Sequence, residues 1–172
     1  REGNLKKITA SGGISPITGR LTFEGPIIKD KTSFLLAGRS TYSDWILNRL
    51  DTKHFQNSNA SFHDLNLNVG HKINDNNQLT FSAYSSSDQF KFNSDTLYRY
   101  TDRNAALKWT HRFNSKLFGE LLLTGSDYDF SMSSKNTSLN SFKFKFNVGQ
   151  QQVKTDLNYI LNDQHTLHAG FS

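Results

Sequence analysis

Gly19–Tyr42 reads GRLTFEGPIIKDKTSFLLAGRSTY, and this stretch decides the fold. Side chains of a strand alternate between two faces. In the first half Leu21, Phe23 and Gly25 share one face, and Arg20, Thr22 and Glu24 share the other. In the second half Phe34, Leu36 and Gly38 alternate with Leu35, Ala37 and Arg39. Ile28-Lys29-Asp30-Lys31 supplies a polar turn between them. Pro26, which has no N–H to donate, stands near the strand end, where a ladder tolerates it. The spacing predicts a β-hairpin with one apolar face and one face that carries charge.

The same unit recurs outward from this hairpin. Upstream, Leu5–Ser15 places Ile8, Ala10, Gly12 and Ile14 on one face. Downstream, Phe62–Ile73 sets Leu65, Leu67, Val69, His71 and Ile73 against Asp64, Asn66, Asn68, Gly70 and Lys72. Asn74–Asn77 is a turn, and Leu79, Phe81 and Ala83 run back from it. The apolar parity then flips at Phe90 and Phe92, as a bulge or an exit from an apolar band would require. Asn104–Phe113, Leu117–Gly125 and Ser141–Leu161 repeat the pattern, and Leu167, Ala169 and Phe171 open another strand. Tyr42–Leu50 reads either as a strand extension or as a short helical turn. The turn registers predict Val69 opposite Ala83 and Trp109 opposite Leu121.

Two classes of turn alternate. Tight ones fall at Lys29–Lys31, Asn74–Asn77, Asn114–Lys116 and Asn162–Gln164; long polar ones fall at Asp51–Ser61, Ser94–Arg103 and Met132–Asn140. Membrane β-barrels have this asymmetry, with short turns at one end and longer loops at the other. Several strands also reach about 15 to 20 residues, against a usual mode near 5 to 6. The fold class expected is an all-β antiparallel up-and-down meander, part of a large transmembrane β-barrel. Alternation alone does not choose between a barrel and a soluble sandwich.

Composition narrows the function classes. The 172 residues carry a formal charge of +5 and no cysteine, which excludes a disulfide framework and thiolate metal sites. Aromatic residues are 13%, too many for a disordered chain. The basic residues are scattered, so no nucleic-acid partner is expected. No apolar run is long enough for a membrane-spanning helix.

The hairpin strings RLTFEGPI, KDK, SFLLAGR and STY resemble the first barrel hairpins of TonB-dependent outer-membrane transporters, most closely those of the Bacteroidetes branch. HDLNLNVGHKINDNNQLTFSAYSSSDQFKF and ALKWTHRFNSKLF are similar to later hairpins of that family. The resemblance implies a bacterial outer-membrane location and import of a large nutrient such as a siderophore, a glycan or a peptide. It implies outer-membrane lipid around the wall, and a plug domain with further barrel strands in the same polypeptide. It also implies a TonB partner and a surface lipoprotein, both acting through parts outside this sequence. Residues 1–172 would then be a partial barrel domain, an expectation reinforced by strands that run into both ends of the sequence. Two rivals stay open: a barrel subunit that scaffolds an outer-membrane complex, and a soluble all-β ligand-binding module.

Candidate sites are few. With Lys29–Lys31 closing the hairpin, Arg39 is expected opposite Thr22 and diagonal to Arg20 and Glu24, a polar ladder facing the lumen or the plug. Lys143 and Lys145 are expected on the lumen side as well. Tyr42, Trp45, Tyr84, Phe113, Tyr128 and Tyr159 are expected in interfacial girdles. Asp95-Thr96-Leu97 resembles the O-glycosylation sequence of Bacteroidetes surface proteins, which points to Thr96. Asn59-Ala60-Ser61 and Asn136-Thr137-Ser138 match the N-glycosylation pattern, which carries no meaning in a bacterial chain. The six histidines lack a zinc-like spacing, and Asp127 with Asp129 lacks a partner base. No catalytic, cofactor-binding or metal-ligating residue is assigned.

Overall fold

The computed structural model describes residues 2–42, 49, 58–91, 96–134 and 141–172. Nine strands follow one another: β1 (Thr9–Ile14), β2 (Thr18–Ile28), β3 (Thr32–Thr41), β4 (Asn59–Asn74), β5 (Asn77–Lys91), β6 (Thr96–Arg112), β7 (Leu117–Ser134), β8 (Phe142–Asn162) and β9 (His165–Phe171). They form one antiparallel sheet in sequence order, each strand bonded to the next. The all-β up-and-down meander expected from the alternation is the fold. Among the described residues there is no helix. The choice between extension and helical turn at Tyr42–Leu50 falls largely outside the described residues, as do Trp45, His54 and the Asn136 acceptor string.

The tight turns share one construction. Asn74, Asn114 and Asn162 each accept, at the side-chain oxygen, the backbone N–H two residues on, at 3.0, 2.8 and 3.0 Å. This local bond competes with the ladder and stops the strand. In the first hairpin Asp30 supplies the left-handed turn residue, at φ 58°. Three of the four hairpins also carry an irregularity just before the turn, between Pro26 and Ile28, Lys72 and Asn74, and Ile160 and Asn162. The extra residues are Ile27, Ile73 and Leu161.

These bulges correct the expected registers. Val69 lies opposite Phe81, and Ala83 faces Leu67, because the turn is two residues long and Ile73 is bulged out. The hairpin without such a bulge keeps the expected pairing of Trp109 with Leu121.

The long loops are shorter than polarity predicts. Thr96–Arg103 belongs to β6, Met132–Ser134 to β7, and Asn59–Ser61 to β4. These residues pair normally although both their faces carry polar groups. β1 is shorter than the apolar pattern, starting at Thr9.

The sheet is a single layer. Leu35, 7% exposed, is the one buried hydrophobic side chain among the described residues. Large apolar side chains stand instead in exposed cross-strand rows. One row runs Phe34, Val69, Phe81, Leu107, Leu123, Val153 across six successive strands. The row beside it runs Phe23, Leu36, Leu67, Ala83, Ala105, Gly125. Together with the rows toward the tight turns they make an apolar belt on one face. Its extent is 65–73 in β4, 117–125 in β7, and 105–113 from β6 into the first residue after it, nine residues each.

Above the belt the parity inverts. In β5 to β8 the large apolar residues pass to the opposite face: Phe90, Tyr98, Tyr100, Tyr128, Phe130, Phe144, Phe146 and Val148. The registers of β5 with β6, β6 with β7 and β7 with β8 run unbroken through this point. Of the two explanations for the flip at Phe90, the bulge is therefore excluded there. Four strands change their apolar face at one height with no interruption of the ladder.

Candidate functional site

The face opposite the belt, called the inner face here, gathers the polar side chains that one face of each strand presents. In its lower half lie Asn66, Asn68, Thr80, Ser82, Lys108, Glu120, Thr124, Lys154 and Asp156, placed by the same two-residue alternation. Asn68 donates to Ser82 Oγ at 2.8 Å across the β4–β5 pair. Its Oδ1 is buried and accepts no hydrogen bond. Lys108 reaches Glu120 diagonally at 3.9 Å, and Lys154 reaches Asp156 on its own strand at 2.9 Å.

A short N-terminal strap crosses this face. Gln78 Nε2 lies 2.6 Å from Glu2 Oε1, and Asp30 N–H donates to the Leu5 carbonyl at 3.0 Å. Gly3 passes so close to β3 that a Cβ there would stand 2.1 Å from the Phe34 carbonyl oxygen. Near the strap the inner face is well buried, with Ser33 at 2%, Leu35 at 7%, Glu24 at 9% and Thr80 at 9% exposed.

The expected ladder of Arg20, Glu24 and Arg39 is corrected in register. Arg39 lies directly opposite Arg20, and Thr22 faces Ala37, two places from the expected pairing: the turn that sets Ile28 opposite Thr32 accounts for one place and the bulge at Ile27 for the other. Two cations directly opposite repel. Arg20 instead lies over Gly13, where a side chain would meet the guanidinium at 3.2 Å. Arg39 turns to Asp64 on its other side, with Nη2 and Nε at 2.7 and 2.8 Å from one carboxylate oxygen, and stacks 4.9 Å from the Phe62 ring centre. Glu24 faces Leu35 and Thr9 near the strap. The three residues share the inner face, but the ion pair joins Arg39 to Asp64 rather than to Glu24.

Toward the long-loop end the inner face becomes aromatic, a feature that alternation alone did not assign to it. Tyr100, Phe130 and Phe146 form a row across β6, β7 and β8, with ring centres 5.1 Å apart at each step. Phe144 and Tyr128 flank it at 6.2 Å from Phe130 and 6.0 Å from Phe146. Asp88 and Asp102 share this face. The signal was present in Phe142, Phe144, Phe146 and Val148, whose parity opposes that of Val153, Leu157 and Tyr159.

Two groups of expected positions are reversed by the same inversion. Tyr84 and Tyr128 point to the inner face, so they are not girdle residues. Lys143 and Lys145 stand on the belt side of the sheet, opposite Ser133 and Ser131. Phe113 and Tyr159 do lie at the tight-turn border of the belt. Trp109 and His111 join them there, with His111 against Phe113 at 4.3 Å. The Tyr42 hydroxyl donates to the Ser15 and Thr18 carbonyls and ties down the turn before β2.

The remaining groups are structural in geometry. His71 Nδ1 lies 2.7 Å from Thr32 Oγ1, and His111 Nδ1 lies 2.7 Å from Asn77 Oδ1, which also accepts from Trp109. Asn147 Nδ2 donates to Asp127 and Asp129 at 2.9 and 3.1 Å, binding the two carboxylates together. Among the described residues no group of three or more His, Cys, Asp or Glu is placed to hold a metal. Thr96 opens β6 on the inner-face parity, half-buried, opposite Ser134.

Comparison with known proteins identifies no relative: no family model, no curated protein and no solved structure matches the chain.

Proposed function

We propose that this chain is part of the wall of a bacterial outer-membrane β-barrel of the TonB-dependent transporter kind, admitting a large nutrient. The observation that carries the reading is the belt and the inversion above it. A spanning strand needs about 9–11 tilted residues, and the belt is nine residues deep in β4 and β7 and, with Phe113, in β6. Within the belt, lipid favours apolar groups outside and a wet lumen favours polar groups inside. Above it the outside is water, and the apolar side chains move to the inner face. A sandwich offers no reason for such a change, because one face of its strand meets the core along its whole length.

The inner face supports the rest of the reading. Its polar rows, the unpaired Asn68 Oδ1 and the strap suit a lumen whose other occupants are a plug domain and a transported solute. The outer edges of β1 and β9 have no further strand among the described residues. Open edges are not tolerated in hydrocarbon, so strands elsewhere in the polypeptide would close the barrel. A TonB partner and a surface lipoprotein belong to this reading through the family resemblance.

The test is made on the full-length protein in its own cells. Membrane fractionation and surface labelling should place it in the outer membrane. Deletion should abolish growth on one large nutrient, restored by the wild-type gene. A protein in the outer membrane whose deletion alters assembly of a complex but no uptake would support the scaffolding subunit instead. A monodisperse, detergent-free monomer with cooperative unfolding would return the soluble module to first place.

A further inference from the structure

One arrangement occurs twice on the inner face, two strands apart. In β4, Phe62 and Asp64 stand two residues apart and hold Arg39, which β3 sets directly opposite Asp64. The carboxylate takes Nη2 at 2.7 Å, and the Phe62 ring centre lies 4.9 Å from the guanidinium carbon. In β6, which runs parallel to β4, Tyr100 and Asp102 repeat the order aromatic–x–Asp. The residue opposite Asp102 is Ser86 of β5, so a serine stands where the first copy has its arginine. Asp88, next above Ser86 on this face, lies between Phe62 and Tyr100. Among the described residues neither Asp88 nor Asp102 has an ion pair, and Asp102 accepts from Asn104 Nδ2 at 3.1 Å. Nor, among those residues, does the inner face of β4 to β8 carry a Lys or Arg above the row Asn66–Tyr84–Asn104–Ser126–Gln150. At Ser86 the face is indented by a depression of about 390 Å³, whose walls include Phe62, Asp64, Tyr84, Asp88 and Phe90.

From this repetition we infer that the Ser86 depression receives a guanidinium or ammonium side chain of a cationic peptide carried as solute. The inference rests on the transporter reading above and names its nutrient. The chain itself shows what an aromatic ring and a carboxylate at this spacing hold, because Arg39 is held that way. Asp88 and Asp102 are diagonal neighbours, with backbones about 7–8 Å apart. A cation over Ser86 therefore has one carboxylate beside it and one above it, with the Tyr100 ring in cation–π reach. From Tyr100 the row continues through Phe130 and Phe146 at steps of 5.1 Å, a surface for the peptide's apolar side chains. Charge selects among the nutrient classes. An acidic siderophore would meet Asp88 and Asp102 as like charges. A neutral glycan would leave both without a counterion. A basic peptide joins cations to apolar groups, which complements this face.

The test uses the detergent-solubilised full-length protein and a dye-labelled hexapeptide of alternating arginine and phenylalanine, read by anisotropy. Wild type should bind it saturably and lose affinity as salt rises. The same peptide with citrulline for arginine keeps the shape without the charge, and should bind about tenfold more weakly. Asp88→Asn with Asp102→Asn should weaken the arginine peptide about tenfold and leave the citrulline peptide within about twofold of its wild-type affinity. Unchanged strand content and resistance to unfolding in detergent should certify the double variant's fold. Four results would overturn the inference: no saturable binding of the arginine peptide, equal binding of the citrulline peptide, equal binding of the arginine peptide by the double variant, or tighter binding of a neutral oligosaccharide or ferric siderophore that the double variant loses. A protein that gives any of these yet fractionates to the outer membrane and imports a nutrient keeps the transporter reading and loses only this solute. A protein that needs no detergent would refute the membrane reading itself, and that result is visible before any peptide is added.

Discussion

Leu123 and Thr124 are neighbours on β7 at one depth, and they separate the proposed environments cleanly. Leu123 points to the belt between Leu107 and Val153 and is 39% exposed in the bare sheet. Thr124 points to the inner face between Ala106 and Gln152. If lipid covers the belt, Leu123→Arg removes apolar surface from hydrocarbon and drives a charge into it two residues below the belt's upper edge, at a cost of about 1–2 kcal/mol, between the midplane and interface values. That is roughly a 5- to 30-fold loss in the folding equilibrium. Thr124→Arg places the same side chain against Ala, Gln and water, and should cost about 0.5 kcal/mol or less. The assay is urea titration of the full-length protein folded into lipid vesicles, each variant compared with wild type at matched slope. In plain water an exposed Leu123 would accept Arg at almost no cost. Two small effects, or a larger effect at Thr124, would refute the placement of the belt in lipid.

Three further outcomes follow from the geometry. Gly3→Ala has no room beside the Phe34 carbonyl, so it should lift the strap and speed amide exchange at Asp30, whose N–H bonds Leu5; unchanged protection there would show that the strap is not held by this contact. Arg39 and Asp64 should couple by about 0.5–1 kcal/mol in a double-mutant cycle, since Arg39 is about half exposed and water screens the pair; zero coupling would reduce the pair to chance proximity. Asn114→Ala removes the acceptor of two backbone N–H groups, from Lys116 and Leu117 at 2.8 and 2.9 Å, and should destabilise by about 1 kcal/mol at an exposed turn; an unmoved denaturation midpoint would mean that water replaces the side chain in full.

The meander was legible because alternation is a local property. Leu65, Leu67, Val69 and His71 announce their face whatever strand lies beside them, and Asn74 or Asn114 announces the turn that follows. Register was less legible, because it depends on single residues that the alternation does not distinguish. Ile27 and Ile73 look like ordinary strand residues, yet each is bulged, and each moves every pair beyond it by one place. The Arg20–Glu24–Arg39 ladder failed on register, through the turn and the bulge together: the three residues share a face, and the partner differs. Asp64, the residue that neutralises Arg39, sits 25 positions away on β4, beyond a loop whose length gives no hint of the pairing.

The upper inner face was the hardest to read, for a physical reason. Parity labels one environment per strand only while the medium beside the strand is constant. In β8, Phe142, Phe144 and Phe146 have the parity of Lys154 and Asp156, so a single rule puts either the aromatics or the ions on the wrong side. The same conflict appears in β6 between Tyr98 or Tyr100 and Lys108, and in β7 between Phe130 and Glu120. A bulge would resolve it in one strand. Repeated across neighbouring strands at one height, with every ladder unbroken, it calls for a change in the surroundings instead. The proposed bilayer edge would supply such a change: below it the outer face carries Leu107 and Leu123, and above it the same face carries charges of both signs, Arg99, Arg103 and Lys145 with Asp127 and Asp129. The residues that looked inconsistent along one strand become consistent once each face is allowed two media, and the boundary between them falls at Ala105 and Gly125.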